Sequence, residues 1–264
     1  MSEPRTIKEL RAVTQPESVR GRANSEHWVA DLYLRRISPY LTRILLRFNF
    51  TPNAVTWLMI VTGLAAGTSL LIPGILGVTL ALVLGQVQML LDCCDGEVAR
   101  WTKRYSPVGI FLDKLGHYVT ESSIAISLGL RLAGWPERDL NETSFPLIGG
   151  ILAVFILLNK SVNDFVHVSR YFAGLPKLED RKSNSTSRIK VISLGKNIFR
   201  YIPIHRAFHS VEMTCVIFVL SVIDLISNLN LLESIFRWIV PIIFVVFLGH
   251  LVSILTSNKL RASD

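Results

Sequence analysis

Six stretches of about twenty mostly apolar residues restrict this chain more than any other feature, since a hydrocarbon core roughly 30 Å thick takes about that many residues as a helix. They run Ala54–Ile72, Ile75–Cys94, Pro107–Leu132, Phe145–Val168, Phe208–Leu229 and Leu231–Ser257. Bilayer interiors offer no water to hydrogen-bond the backbone, so each stretch is expected to be a helix. Composition argues the same way. Half of the 264 residues are hydrophobic and 18% are charged, against roughly 25% in soluble domains. The fold expected is therefore all-α and integral to the membrane, with six transmembrane helices. Pro73-Gly74 and Asn228–Asn230 mark short turns that pair the first two and the last two. Cys93, Cys94 and Cys215 have neither disulfide nor zinc spacing and read as small apolar fillers.

Glu26–Phe50 differs in kind. Trp28, Val29, Leu32, Leu34, Ile37, Leu41, Ile44 and Leu45 alternate with Arg35, Arg36, Arg43 and Arg47, a pattern interrupted near Pro39. Such an amphipathic helix either lies in the interface of an anionic membrane or packs on its own protein. Met1–Asn24 lacks the apolar stretch of a cleavable signal, so insertion is expected to be directed by the spans themselves. Basic residues crowd the amino-terminal segment, the second-to-third connection, the long fourth-to-fifth connection and the tail. The opposite side offers Arg131, Arg138 and Arg237 beside an acidic Trp135–Ser144. Lysine and arginine accumulate on the cytoplasmic side, so both termini are expected there. The parts are then a flexible cytoplasmic 1–25, an interfacial helix 26–50, a six-helix transmembrane domain 51–257 and a tail 258–264. Leu175–Arg200, basic and serine-rich, reads as a cytoplasmic loop. No nucleic-acid partner is expected.

Ionisable residues inside membrane helices are costly and usually functional. Here they cluster. The second stretch ends in Leu91-Asp92-Cys93-Cys94-Asp95-Gly96-Glu97-Val98-Ala99-Arg100, and the third opens after Ser106-Pro107, a capping serine and first-turn proline, before carrying Asp113 and His117. Asp92 and Asp95 lie three apart, Asp113 and His117 four apart, so each pair shares a helix face. A short basic turn can bring the two faces together. Three carboxylates converging in a poorly solvated place repel one another, and hard divalent cations such as magnesium or manganese relieve that. Ions so held can clamp a pyrophosphate. Gly96 and Ala99 leave room for a ligand.

At fixed spacing, Asp92, Asp95, Gly96, Ala99, Arg100, Gly109 and Asp113 fit D-x2-D-G-x2-A-R-x8-G-x3-D-x3-D. The sequence thereby resembles the CDP-alcohol phosphotransferase family, with His117 where the last aspartate stands. Thr51-Pro52-Asn53-Ala54-Val55-Thr56 also looks like the segment opening that family's first span, and the likeness extends over most of residues 26–257. The resemblance implies two metal ions, magnesium or manganese, held by Asp92, Asp95, Asp113 and the last position, His117. It places Gly96, Ala99, Arg100, Gly109 and Asn53 around the nucleotide. It implies a membrane phospholipid-synthesis enzyme that transfers a phosphatidyl or other phospho-alcohol group from a CDP-linked donor to a small alcohol, with CMP released. A homodimer is expected on the same ground.

His117 is expected to act as base or as metal ligand, although imidazole suits transition metals better than magnesium. Asp113, His117 and Glu121 form a ladder on one face, so Glu121 is expected to orient His117 or to replace the missing carboxylate. Lys114 meets an anionic group or snorkels to the interface. Lys160 and Asp164 pair with each other or, with Arg170, line an acceptor pocket. His205, His209 and Glu212 have metal-like spacing, yet capping or interface roles are commoner for such residues. Asp224 reads as structural. An intramembrane prenyltransferase would need a second aspartate-rich motif, which Asn159, Asn163 and Asp164 imitate poorly. A cation-binding or non-enzymatic membrane subunit is the alternative from another class.

Overall fold

A computed structural model describes residues 4, 6–16, 19, 30–140, 143–176 and 210–260, apart from the side chains of 30, 31 and 258. Glu26–Val29, the basic stretch 177–200, His205 and His209 lie outside the described residues. All regular structure among the described residues is helical. The helices are α1 (Ile7–Thr14), α2 (Arg35–Arg47, continuing a π-turn at Ala30–Leu34), α3 (Pro52–Ser69), α4 (Gly74–Thr102), α5 (Pro107–Leu132), α6 (Phe145–Phe172), α7 (Ser210–Ser227), α8 (Leu231–Arg237) and α9 (Ile239–Leu255).

By length and composition, α4, α6 and α7 can each cross a bilayer, and α8 with α9 makes a fourth candidate bent by 49°. These helices mark an integral membrane protein. The continuous span expected over Leu231–Ser257 is broken. Pro241 has no N–H for the Arg237 carbonyl and its ring crowds that group, which puts the break at Trp238. α3 and α5 fall outside the apolar set. For α5 the reason is its load of Asp113, Lys114, His117, Glu121 and Arg131.

The first 25 residues are not wholly flexible. Ile7–Thr14 is a helix capped by Thr6, whose hydroxyl accepts from the Glu9 N–H. Its Leu10 is buried with Leu45, Leu46, Val55, Leu91, Val98 and Leu112. Pro39 likewise departs from expectation: it sits inside α2 rather than interrupting it.

Local chemistry sets the ends of the central helices. Thr51 and Ser106 accept from the N–H groups of Ala54 and Gly109 at 3.3 and 3.0 Å, and Pro52 and Pro107 follow them. Lys103 adopts a left-handed conformation at φ 54°, which ends α4 and turns the chain toward α5. Gly74, at φ 72°, opens α4 after the tight turn. Arg131, at the far end of α5, donates to the carbonyls of Leu70, Ile72 and Gly74 at 3.1, 2.8 and 2.7 Å. The Leu70 and Ile72 carbonyls lie past the end of α3, where intrahelical donors have run out, and Gly74 opens α4.

Small residues let the helices approach. A Cβ built on Gly67 of α3 would stand 2.1 Å from Ser123 Oγ and 2.9 Å from the Ser123 backbone carbon of α5. Gly63 faces Thr120 and Gly116 faces Met59 in the same seam. Gly129 and Gly149 do the same between α5 and α6. Without a hydrophobic drive between helices in lipid, such close packing carries much of the association. A larger core seals the end opposite the acidic residues, where Leu70, Val78, Ile124, Leu128, Phe145, Leu152, Phe236 and Ile243 meet.

Gly67→Ala should therefore lower the thermal unfolding midpoint in detergent by the equivalent of about 1–3 kcal/mol. A Cβ on Gly150 would meet nothing within 4 Å, so Gly150→Ala should be neutral or slightly stabilising. Equal midpoints for the two variants would refute the tight α3–α5 seam.

Candidate metal and nucleotide site

A 29-residue α4 is about 43 Å long at 1.5 Å per residue. It therefore overshoots a hydrocarbon core of roughly 30 Å. Counted from Gly74 at 1.5 Å per residue, Asp92 lies about 27 Å along the helix and Asp95 to Arg100 about 31 Å or more. The turn at residues 103–106 returns the chain at that same level, so the first turns of α5 stand beside the last turns of α4. That is why side chains far apart in polarity from their apolar neighbours converge here.

Ligand atoms of Asp92, Asp113 and His117 all lie within 4.8 Å of one another. His117 Nε2 is 3.1 Å from Asp92 Oδ1 and 3.7 Å from Asp113 Oδ1. One nitrogen thus faces two carboxylates from two helices. The Asp113 side chain is 45% exposed, against 20% for Asp92 and 15% for His117, so the group opens on the Asp113 side. This donor set suits a divalent cation, with manganese or another transition ion better matched to the imidazole than magnesium.

Asp95 stands outside that group of three. The Thr56 hydroxyl of α3 donates to its Oδ2 at 2.8 Å, while the charges of Asp92 and Asp113 still bear on it. Thr56 belongs to the Thr51–Thr56 segment singled out from the sequence, although no role for it was evident there.

The residues expected near a nucleotide fall into two places. The Arg100 guanidinium folds back over Gly96, its nitrogens 3.0 and 3.2 Å from where a Gly96 Cβ would stand. Its Nε donates to the carbonyl of Thr14. Ala99, one residue before it, is half-buried. Gly109 lies against Asn53, whose Oδ1 is 3.1 Å from the position of a Gly109 Cβ, and the Ser106 hydroxyl donates to the same oxygen at 3.4 Å. Ser106 and Asn53 thereby fasten the first turns of α5 and α3 together, with Gly109 leaving the space for it.

The ladder of Asp113, His117 and Glu121 is divided. Glu121, fully buried, takes the Lys160 ammonium of α6 at 2.6 Å. Lys160 does not pair with Asp164, because the i, i+4 neighbour is closer to water and is already engaged. Asp164 accepts Lys114 Nζ at 2.6 Å and the Tyr118 hydroxyl at 2.8 Å. Lys114 thus pairs with an acid of α6. Arg170 turns away from this network to donate to the carbonyls of Pro176 and Lys259. Asp224 caps α8, accepting from the N–H groups of Leu231 and Leu232.

Sequence reasoning missed Glu97. It is 1% exposed and its carboxylate accepts from Gln15, Ser38 and Thr42 at 2.7, 2.5 and 2.7 Å. A glutamate inside the Asp92–Arg100 motif was itself a signal that a buried partner set existed.

Comparisons with known proteins agree with the motif. Residues 49–172 match a family model described as CDP-alcohol phosphatidyltransferase. The resemblance read from Asp92 through Asp113 is thereby shown for that segment. A curated relative, archaetidylinositol phosphate synthase of Aeropyrum pernix, is 34% identical over 92 residues. That match spans 35% of this chain and 46%, about half, of the relative's length.

The Glu121–Lys160 pair yields a stability test. Lys160→Met removes the cation from a fully buried carboxylate and should cost roughly 3 kcal/mol. Adding Glu121→Leu should restore most of that in the unfolding midpoint. A double variant as unstable as the single one would show that the pair is not what holds α5 to α6.

Proposed function

We propose that this protein is a metal-dependent transferase of phospholipid synthesis, moving a phosphatidyl group from CDP-diacylglycerol, or another CDP-linked donor, to a small alcohol and releasing CMP. The observation that carries the reading is the convergence of Asp92, Asp113 and His117 within 4.8 Å at the end of two consecutive helices. The family match over residues 49–172 and the name of the curated relative support headgroup transfer.

Asp92, Asp113 and His117 would hold one divalent ion. Asp95 would serve a second, since an oxygen that accepts from Thr56 keeps another lone pair. Bound ions would supply positive charge against the pyrophosphate and the departing phosphate. The remaining work falls to the chain. Arg100, over Gly96 and beside Ala99, faces the donor's nucleotide phosphate, while Asn53 and Gly109, at the first turns of α3 and α5, serve a second part of the nucleotide site. The acceptor hydroxyl oxygen bonds to the phosphorus that bears the diacylglycerol. The bond from that phosphorus to the oxygen of CMP breaks, and CMP leaves with the electron pair. The hydroxyl proton passes to the open, Asp113 side of the cluster. With Nε2 directed at Asp92 and Asp113, His117 serves as a ligand rather than as the base, and Glu121 steadies α6 through Lys160.

The membrane arrangement belongs to the same reading. Six spans, with α2 in the interface and both termini cytoplasmic, put the cluster at the inner leaflet, where a lipid donor and a water-soluble acceptor meet. A homodimer in the bilayer is part of it.

Incubating the full chain in detergent with radiolabelled CDP-diacylglycerol, manganese or magnesium and a panel of alcohols tests this reading, because the lipid product identifies the acceptor. CMP release should stop on chelation and fall roughly 10²–10³-fold in Asp113→Asn. His117→Asp should shift the ratio of magnesium- to manganese-supported turnover toward magnesium by at least about tenfold. A protein that binds manganese yet releases no CMP with any alcohol would be a cation-binding membrane subunit instead.

A further inference from the structure

Pro39 cannot donate to the carbonyl four residues back, so α2 leaves the Arg35 carbonyl open on the side that faces α1. Gln15 Nε2 fills it at 2.7 Å, and Arg11 Nη2 takes the neighbouring Arg36 carbonyl at 2.7 Å. The same Gln15 nitrogen lies 2.7 Å from Glu97 Oε1 and 3.3 Å from Ser38 Oγ. A buried carboxylate is tolerated when donors surround it, and here they come from the α1 end and from α2. Leu10, fully buried, packs beside Val98 on the same helix as Glu97. The amino-terminal segment is thus anchored next to the turn that carries Asp95, Gly96 and Arg100.

The anchor has a consequence at Arg100. Thr14, the residue before Gln15, ends α1, where helix carbonyls carry partial negative charge. Its carbonyl accepts from Arg100 Nε, and the guanidinium then lies over Gly96. We infer that residues 6–16 form part of the donor site, as a strap through which Gln15 and Glu97 position Arg100 over Gly96. This rests on the reading that Arg100 faces the nucleotide of a CDP-linked donor. Gln15 and Glu97 touch no substrate; they are positioning residues, and the strap itself lies outside the matched segment 49–172.

The test is a charge swap in the full chain. Gln15→Glu sets two buried carboxylates face to face, whereas Gln15→Glu with Glu97→Gln restores one amide–carboxylate contact. Gln15→Ala, which merely removes the donors, is the milder companion. CDP affinity of the manganese-loaded protein in detergent is read by calorimetry, beside manganese affinity and the kcat and KM of CMP release. Gln15→Glu should weaken CDP binding and raise the donor KM roughly tenfold, with kcat and manganese affinity within about twofold. Gln15→Ala should move in the same direction, and the double variant should recover most of the loss. Unchanged CDP affinity in both single variants, or a parallel fall in kcat and manganese affinity, overturns the strap. Wild-type protein that binds manganese but not CDP removes the donor reading itself.

Discussion

Negative charge crowded onto two adjoining helix ends is the constraint that the remainder of this structure accommodates. Asp92 and Asp113 stand with His117 inside 4.8 Å, and Asp95 feels both carboxylates from one turn away. Such a group is unfavourable next to a bilayer unless something cationic joins it. The fold does not separate these side chains: it holds them within reach of a single ion. His117 Nε2 faces both acids, and Lys114 and Lys160 are spent on Asp164 and Glu121. The cluster of two carboxylates and an imidazole is one that could hold a divalent cation.

Holding that arrangement requires rigid helices at short separation. Gly63, Gly67 and Gly116 let α3 and α5 meet almost backbone to backbone, and Gly129 and Gly149 do so for α5 and α6. Polar ties then fix axial position: Thr56 to Asp95, Ser106 to Asn53, and Arg131 to the carbonyls beyond α3. The apolar core and the acidic cluster occupy opposite ends of the same bundle. A smaller apolar cluster with Leu91, Val98 and Leu112 packs beside the acidic residues themselves.

Much of this was legible in the sequence, for identifiable reasons. Helix positions follow from apolar run length, although three or four of the six helices qualify as spans, and α5 matches its expected bounds because a serine cap with a following proline marks the start. Asp92, Asp113 and His117 could be brought together because a four-residue connection between helices leaves little freedom. Where the reading failed, tertiary partners decided. Glu121 shares a face with His117, yet Lys160 on another helix claims it. Glu97 is invisible to helix periodicity because its donors sit 55 and more residues away. Pro39 looked like an interruption, whereas the freed carbonyl of Arg35 is satisfied by Gln15. Pro241, just after the break between α8 and α9, was passed over when Leu231–Ser257 was read as one apolar run.

Electron spin-echo spectroscopy of the manganese-loaded chain in detergent addresses the metal cluster most directly. The nitrogen modulation of a coordinated imidazole should be present in the wild-type protein and gone in His117→Asp while manganese stays bound. A spectrum indistinguishable from the hydrated ion, or a nitrogen signal that survives that substitution, would contradict the cluster as a metal site.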